Sequence, residues 1–146
     1  MRVYVDTNVL IPAMEGTGDD ASQVARLIDL GARAKLELIT SEMTLSEVLV
    51  VPIRRDDDIL VDAYLTLLMR EPVFTLVPVT RDILVESSRI RARGTEKLPD
   101  SVHVATAVLQ SCDIIASYDR RLGGLSGIEV VEPSDARFLA LDEEAS

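Results

Sequence analysis

Five short runs of strand-prone residues are separated by longer stretches with helical spacing, and this alternation restricts the fold more than any other feature of the chain. The runs are RVYV (2–5), LELIT (36–40), FTLVPV (74–79), DIIAS (113–117) and IEVV (128–131). Each is rich in β-branched or aliphatic residues, as a buried strand requires. Between them, 19–35 carries Val24, Leu27, Ile28 and Leu30 at helical spacing, with Asp19 or Asp20 as the start signal. Further helices are expected over 41–51, from a Ser41 cap to a stop at Pro52, and over 56–71, with acids in its first turn. Two more are expected over 80–93, opened by Thr80, and over 100–110, following Pro99. Pro78 has no N–H to give a ladder, so 74–79 should lie near a sheet edge. Strands divided by helices form parallel βαβ units with right-handed crossovers. The expected fold is a three-layer α/β/α sandwich around a parallel sheet of four to five strands. A length of 146 residues suits a single domain over 1–146, with a tail that frays over 140–146.

Composition removes several function classes. Hydrophobic residues make up 47% and aromatics only 3%, with no Trp, so the core must be aliphatic. That argues against a single-strand platform built on stacking side chains. The one cysteine, Cys112, cannot form an intrachain disulfide and reads as a small buried apolar residue. The first residues lack the apolar run of a signal peptide, and no apolar run approaches the ~18 residues that cross a membrane. The expectation is a soluble, cytoplasmic protein with no membrane partner. The net charge of −10 opposes a protein that coats nucleic acid, unless acids are gathered around a cation that reverses the local sign.

Four acids bear on that exception. In a parallel sheet, ligands bind beyond the carboxyl ends of the strands, where the strand order reverses. Asp6 follows the first strand directly, and Asp119 stands just past the fourth. Glu47 has Met43, Thr44, Val50 and Val51 as its helical neighbours, a mostly apolar face where a lone carboxylate is costly. Asp100 opens a helix that is apolar nearly all round. Each acid has a plainer reading. Asp6 and Asp100 would serve as helix caps, Glu47 as a half-solvated side chain, and Asp119 as the start of a turn. Together at one crevice, four carboxylates repel and raise one another's pKa, and a hard divalent cation relieves this. Oxygen ligands favour Mg²⁺ or Mn²⁺, whereas Zn²⁺ sites need the Cys or His clusters that this chain lacks. No Gly-rich phosphate loop with a Lys is present, and the serines have no His partner other than His103, which reads as a packed core residue.

In order and spacing, MRVYVDTNVL, TLSEVL, LPDSVHVATAVL and ASYDRRL resemble the four motifs of the PIN-domain ribonucleases, and most nearly the VapC-type toxins of bacterial toxin–antitoxin pairs. The resemblance covers residues 1 to about 131. It implies a PIN-like fold, with Asp6, Glu47 and Asp100 as metal-binding acids and Asp119 as the fourth acid of the pocket. Asn8 and Ser117 match supporting polar positions. It further implies Mg²⁺- or Mn²⁺-dependent endoribonuclease activity, in which a water activated by one or two ions attacks phosphorus to leave a 5′-phosphate and a 3′-hydroxyl. A homodimer and a protein antitoxin are the implied partners, beside the RNA substrate. Tyr118 and Leu122 depart from the family pattern, at positions often occupied by Asn and by an aromatic residue.

The cations near the acids are Arg89, Arg91, Arg93 and Lys97 before Asp100, and Arg120 and Arg121 after Asp119. Arg120 and Arg121 are the candidate RNA contacts, while Arg89 to Arg93 read as a solvated helix face. Two rivals fail on residues. A haloacid-dehalogenase phosphatase needs a second Asp where Asn8 stands, and a phosphoacceptor receiver needs paired acids near its first strand. A housekeeping RNA-processing nuclease, or a non-catalytic binding module on the same fold, remains as an alternative.

Overall fold

Five strands form one wholly parallel sheet: β1 (Arg2–Val5), β2 (Glu37–Ser41), β3 (Phe74–Val77), β4 (Ile114–Ala116) and β5 (Glu129–Val131). The computed structural model describes residues 1–16 and 20–145, so Asp19, one of the two expected helix-start residues, lies outside the described residues, as does Ser146. The strand order is β3-β2-β1-β4-β5. Growth of the sheet reverses at β1, which pairs with β2 on one side and β4 on the other. Val3 therefore sits opposite both Leu38 and Ile114.

The pleat of β1 sends its side chains into two separate cores. Val3 and Val5 enter one face, packed with Val9 and Leu10 of α1 (Thr7–Glu15), Val24, Leu27 and Leu30 of α2 (Ala21–Ala32), and Tyr64 of α4 (Asp58–Leu65). Phe138 of the last helix, Ala136–Ala145, closes that face. Tyr4 enters the other face, against Ile83 and Ile90 of α5 (Arg81–Ala92) and Val102, Val104 and Ala105 of α6 (Leu98–Leu109). Helices thus cover both faces of the sheet, as strands buried on both sides require.

Several boundaries differ from the sequence reading. The helix expected to stop at Pro52 is α3 (Met43–Arg54), which carries Pro52 within its last turns. The ring there removes one backbone donor close to the helix end, and it is buried. The helix expected over 56–71 is α4, followed by a π-helical turn at Thr66–Arg70. Strand β3 ends at Val77, one residue short of Pro78, on the sheet edge that the proline predicted. Helix α6 starts at Leu98 with Pro99 in its first turn, a position where a missing N–H costs nothing. A short helix, α7 (Arg121–Ser126), follows the expected DRRL turn. Much of the segment expected to fray, 140–146, belongs to the last helix, α8, whose Asp142 pairs with Arg26 at 3.3 Å and Arg33 at 2.6 Å.

Candidate active site

The reversal of strand order brings the ends of β1 and β4 together. The Asp6 N–H donates to the Ala116 carbonyl at 3.0 Å, which extends the ladder one residue beyond β1. Asp6 occupies the N-cap position of α1, yet its side chain makes no capping bond. Its Oδ2 instead accepts from the Ser117 hydroxyl at 2.7 Å. Asn8 Nδ2 donates to the same Ser117 oxygen at 3.2 Å, and Asn8 Oδ1 accepts from the Tyr118 N–H at 3.3 Å. Ser117 is fully buried. The Asp119 N–H also donates to Ser117 Oγ, at 3.0 Å, so one hydroxyl connects the first and fourth acids. Burial pushes the Asp6 carboxyl above its usual range, helped by the negative charge of Glu47, against the opposing pull of the Ser117 hydroxyl and His103.

Glu47 reaches the same region from α3. Its Oε1 accepts from the Thr7 hydroxyl at 3.0 Å and lies 2.5 Å from His103 Nε2. Thr7 follows Asp6 directly, so this bond ties the second acid to the first. Burial pushes the Glu47 carboxyl up, but the hydrogen bonds of His103 and Thr7 pull the other way and the group lies below its usual range. His103 is buried as expected, at 3% exposure, but it also contacts an acid of the candidate site.

Asp100 and Asp119 line a cavity of about 250 Å³ with Thr95, Glu96, Lys97, Arg121, Leu122 and Leu125. Asp100 stands in the first turn of α6, three residues after its N-cap position, and is half-buried. Asp119 is clamped by Arg121, whose Nε reaches Oδ1 at 3.0 Å and whose Nη2 reaches Oδ2 at 2.8 Å. The Arg121 side chain and backbone N–H hold the Asp119 carboxyl below its usual range. Asp119 also accepts from that backbone N–H at 3.1 Å, so its turn-forming role is present beside any other. Arg120 is 73% exposed, with Glu132 at 4.0 Å. Lys97 lines the acid cavity, Arg93 lines a separate one with Glu86 and Gly124, and Arg89 pairs with Glu86 at 3.2 Å.

Asp6, Asn8, Ser117 and the backbone of Asp119 therefore form one hydrogen-bonded network, and Glu47 adjoins it through its bond to Thr7, the residue after Asp6 in the chain. Asp100 joins Asp119 through a shared cavity, and no hydrogen bond links it to Asp6 or Glu47 among the described residues. Among the described residues, no three carboxylate, histidine or cysteine groups stand together in a way that could hold a metal ion. Three of the acids have instead found donors of their own: Ser117 for Asp6, His103 for Glu47 and Arg121 for Asp119. The donor chemistry, carboxylate and hydroxyl oxygens with a half-buried Asp6 whose charge is poorly solvated, fits a hard divalent cation. Sequence reasoning missed Thr7, the contact of His103 with Glu47, and Glu96. His103 was legible as a residue three after Asp100 on one helix. Glu96 precedes the helix and has no periodicity to mark it; its Oε2 is buried without a hydrogen-bond partner among the described residues.

A family model described as PIN domain matches residues 3–141. No curated protein matches the chain in sequence. Among solved structures, Mycobacterium tuberculosis VapC20, a sarcin-ricin loop cleaving toxin, superposes with a TM-score of 0.72 at 18% identity, covering 90% of this chain and 99% of that one. FitAcB from Neisseria gonorrhoeae gives 0.68 at 18% identity, covering 90% and 97%. A toxin–antitoxin complex from Klebsiella pneumoniae gives 0.64 at 24% identity, covering 91% and 98%. At these identities the likeness is one of fold.

Proposed function

We propose, from the premise that this chain belongs to the PIN-domain family, that it is a divalent-metal-dependent endoribonuclease and the toxin of a type II toxin–antitoxin pair. PIN domains are nuclease domains, which supports hydrolysis of nucleic acid as the reaction class. The observation that carries the reading is the hydrogen-bonded network joining Asp6, Ser117 and Asp119 where the strand order reverses, with Glu47 drawn in through Thr7. That is where a parallel sheet binds ligands.

Asp6, Glu47 and Asp100 are assigned as the acids that hold Mg²⁺ or Mn²⁺, with Asp119 as the fourth acid. When bound, the ion supplies Lewis acidity to the phosphodiester and lowers the pKa of the attacking water. The protein's own residues prepare the pocket. Ser117 and Asn8 fix the Asp6 carboxylate, Thr7 fixes one oxygen of Glu47, and Arg121 keeps Asp119 ionised. Of the two expected RNA contacts Arg121 is tied to Asp119, so the exposed Arg120 and Lys97, which lines the acid cavity, are assigned to the phosphates. The structural neighbours that are toxins or toxin–antitoxin complexes favour the toxin over a housekeeping nuclease. Val50 and Ile53 of α3, 47% and 59% exposed, lie with Leu45 and Leu49 in an apolar groove that suits a protein partner, whether an antitoxin segment or a second copy in a homodimer. No described helix is long and apolar enough to cross a membrane.

The test is cleavage of single-stranded RNA by purified protein with Mn²⁺, with EDTA, and by Asp6→Asn. Metal-dependent products that vanish with EDTA and in the variant are expected. Wild-type protein that cleaves nothing under any divalent ion would leave the non-catalytic module as the better reading. Growth arrest on expression, relieved by co-expression of an adjacent DNA-binding partner gene, separates toxin from housekeeping enzyme.

A further inference from the structure

We propose that His103 is a positioning residue for Glu47, holding one oxygen of that carboxylate so that the other is presented to the pocket; the inference rests on the nuclease reading above. His103 is the chain's only histidine and lies on α6, 3% exposed. Both ring nitrogens are engaged. Nε2 lies 2.5 Å from Glu47 Oε1, and Nδ1 lies 2.5 Å from the hydroxyl of Tyr4, itself 1% exposed on β1. The two rings meet edge to face, with centroids 5.8 Å apart. A phenol hydroxyl is an O–H donor at neutral pH, and His103 Nδ1 stands within hydrogen-bond reach of it. With the Tyr4 O–H donating to Nδ1, Nδ1 is the acceptor and the N–H lies on Nε2, directed at the carboxylate. The tautomer is assigned from this pattern of partners.

Thr7 supplies a second donor to the same Oε1, at 3.0 Å, and Oε2 of Glu47 accepts no hydrogen bond among the described residues. The carboxylate is therefore fixed at one oxygen and available at the other. Its side chain is 31% exposed on a helix, with three rotatable torsions that nothing else restrains to one setting. Strand β1 places Tyr4, α6 places the ring and α1 places Thr7, so three elements converge on a side chain of a fourth. A buried histidine with a purely packing role needs its nitrogens satisfied but has no need of an acid of the pocket as partner. Groups that orient a metal ligand from behind typically change metal affinity or activity 10- to 100-fold when removed.

The test compares wild type, His103→Leu, His103→Gln and Tyr4→Phe by Mn²⁺ titration calorimetry, RNA cleavage kinetics and thermal melting. The Gln amide donates from nearly the place of Nε2, whereas Leu fills the volume and donates nothing. His103→Leu should weaken Mn²⁺ binding and lower kcat by about 10- to 100-fold with KM for RNA little changed. His103→Gln should recover most of both losses, and Tyr4→Phe should show a smaller loss in the same direction. Wild-type Mn²⁺ affinity in His103→Leu, or a Gln variant as impaired as Leu, overturns the proposal. Should His103→Leu fail to fold, the decision falls on Tyr4→Phe: a weakened Mn²⁺ affinity upholds the proposal and an unchanged one overturns it. A wild type that neither binds Mn²⁺ nor cleaves RNA refutes the nuclease reading instead. The contact is then decided by nitrogen NMR of the single histidine, which should show the Nε2–H tautomer and shift in Glu47→Gln. An Nδ1–H ring, or one indifferent to Glu47, refutes it.

Discussion

A carboxylate that has lost most of its water and gained one hydroxyl is still under-solvated, and Asp6 is in that position. Its raised pKa means that the ionised form costs stability at neutral pH, a cost that disappears as the pH falls through the raised value toward 3.8. Asn at this position keeps the contact with Ser117 and carries no charge. Asp6→Asn should therefore melt at the same temperature as wild type or higher at neutral pH, and the gap should close on acidification. Its RNA cleavage should fall by more than the ~100-fold that loss of an outer partner costs. Thermal melts across pH, run beside the cleavage assay, check both halves. Glu47 has the opposite sign. Its carboxyl is held below 4.5, so its contribution is present above that value and is lost as the pH falls through the lowered one. Glu47→Gln should remove that acid-side loss, visible as a flatter dependence of melting temperature on pH below about 5.

Packing between elements sets different limits. At Gly31, α2 approaches β2 so closely that an added Cβ would lie 2.6 Å from Leu38 Cδ1 and 2.9 Å from Cγ. Ala gains roughly 0.8–1 kcal/mol over Gly in a helix. Overpacking costs roughly 1–3 kcal/mol, and Leu38 is 1% exposed with no solvent to yield into. Packing should win, so Gly31→Ala should lower stability by about 1 kcal/mol in a denaturant melt. The same physics explains what the sequence reveals. Strands such as 2–5 are legible because both faces are buried and every residue after Arg2 is aliphatic or aromatic. The edge position of 74–79 follows from one proline. Pro52 misleads because the rule against proline concerns the helix interior, and this proline lies in the closing turns. At the site, Asp6 and Asp119 are legible because they are tied to strand ends, whose meeting place the topology fixes. Glu47 and His103 meet across a gap of 56 residues, and no local pattern of period or spacing records that contact. Glu96 escapes for the same reason.

For the molecule as a whole, 25 acids against 15 Lys and Arg leave a surface that repels a polyanion. On the nuclease reading any RNA is held by few contacts, with Lys97 in the acid cavity and the exposed Arg120 as the proposed phosphate partners. Two phosphate contacts to a single strand give a slope of log affinity against log salt near about −1.4, since each contributes about 0.7. Binding titrations at several salt concentrations should find this shallow slope, and Lys97→Ala should reduce it by about 0.7. A steep slope in wild type would point to a much longer basic track than this surface provides.

The bond between Ser117 and Asp6 spans 111 positions of the chain. A ribosome reads those codons in order, so a polypeptide halted between Asp100 and Ser117 carries Asp6, Glu47 and Asp100 yet has no second wall for its pocket. Translation products that stop short of Ser117 should thus be unable to complete the cleft, because only a nearly finished molecule supplies its second wall.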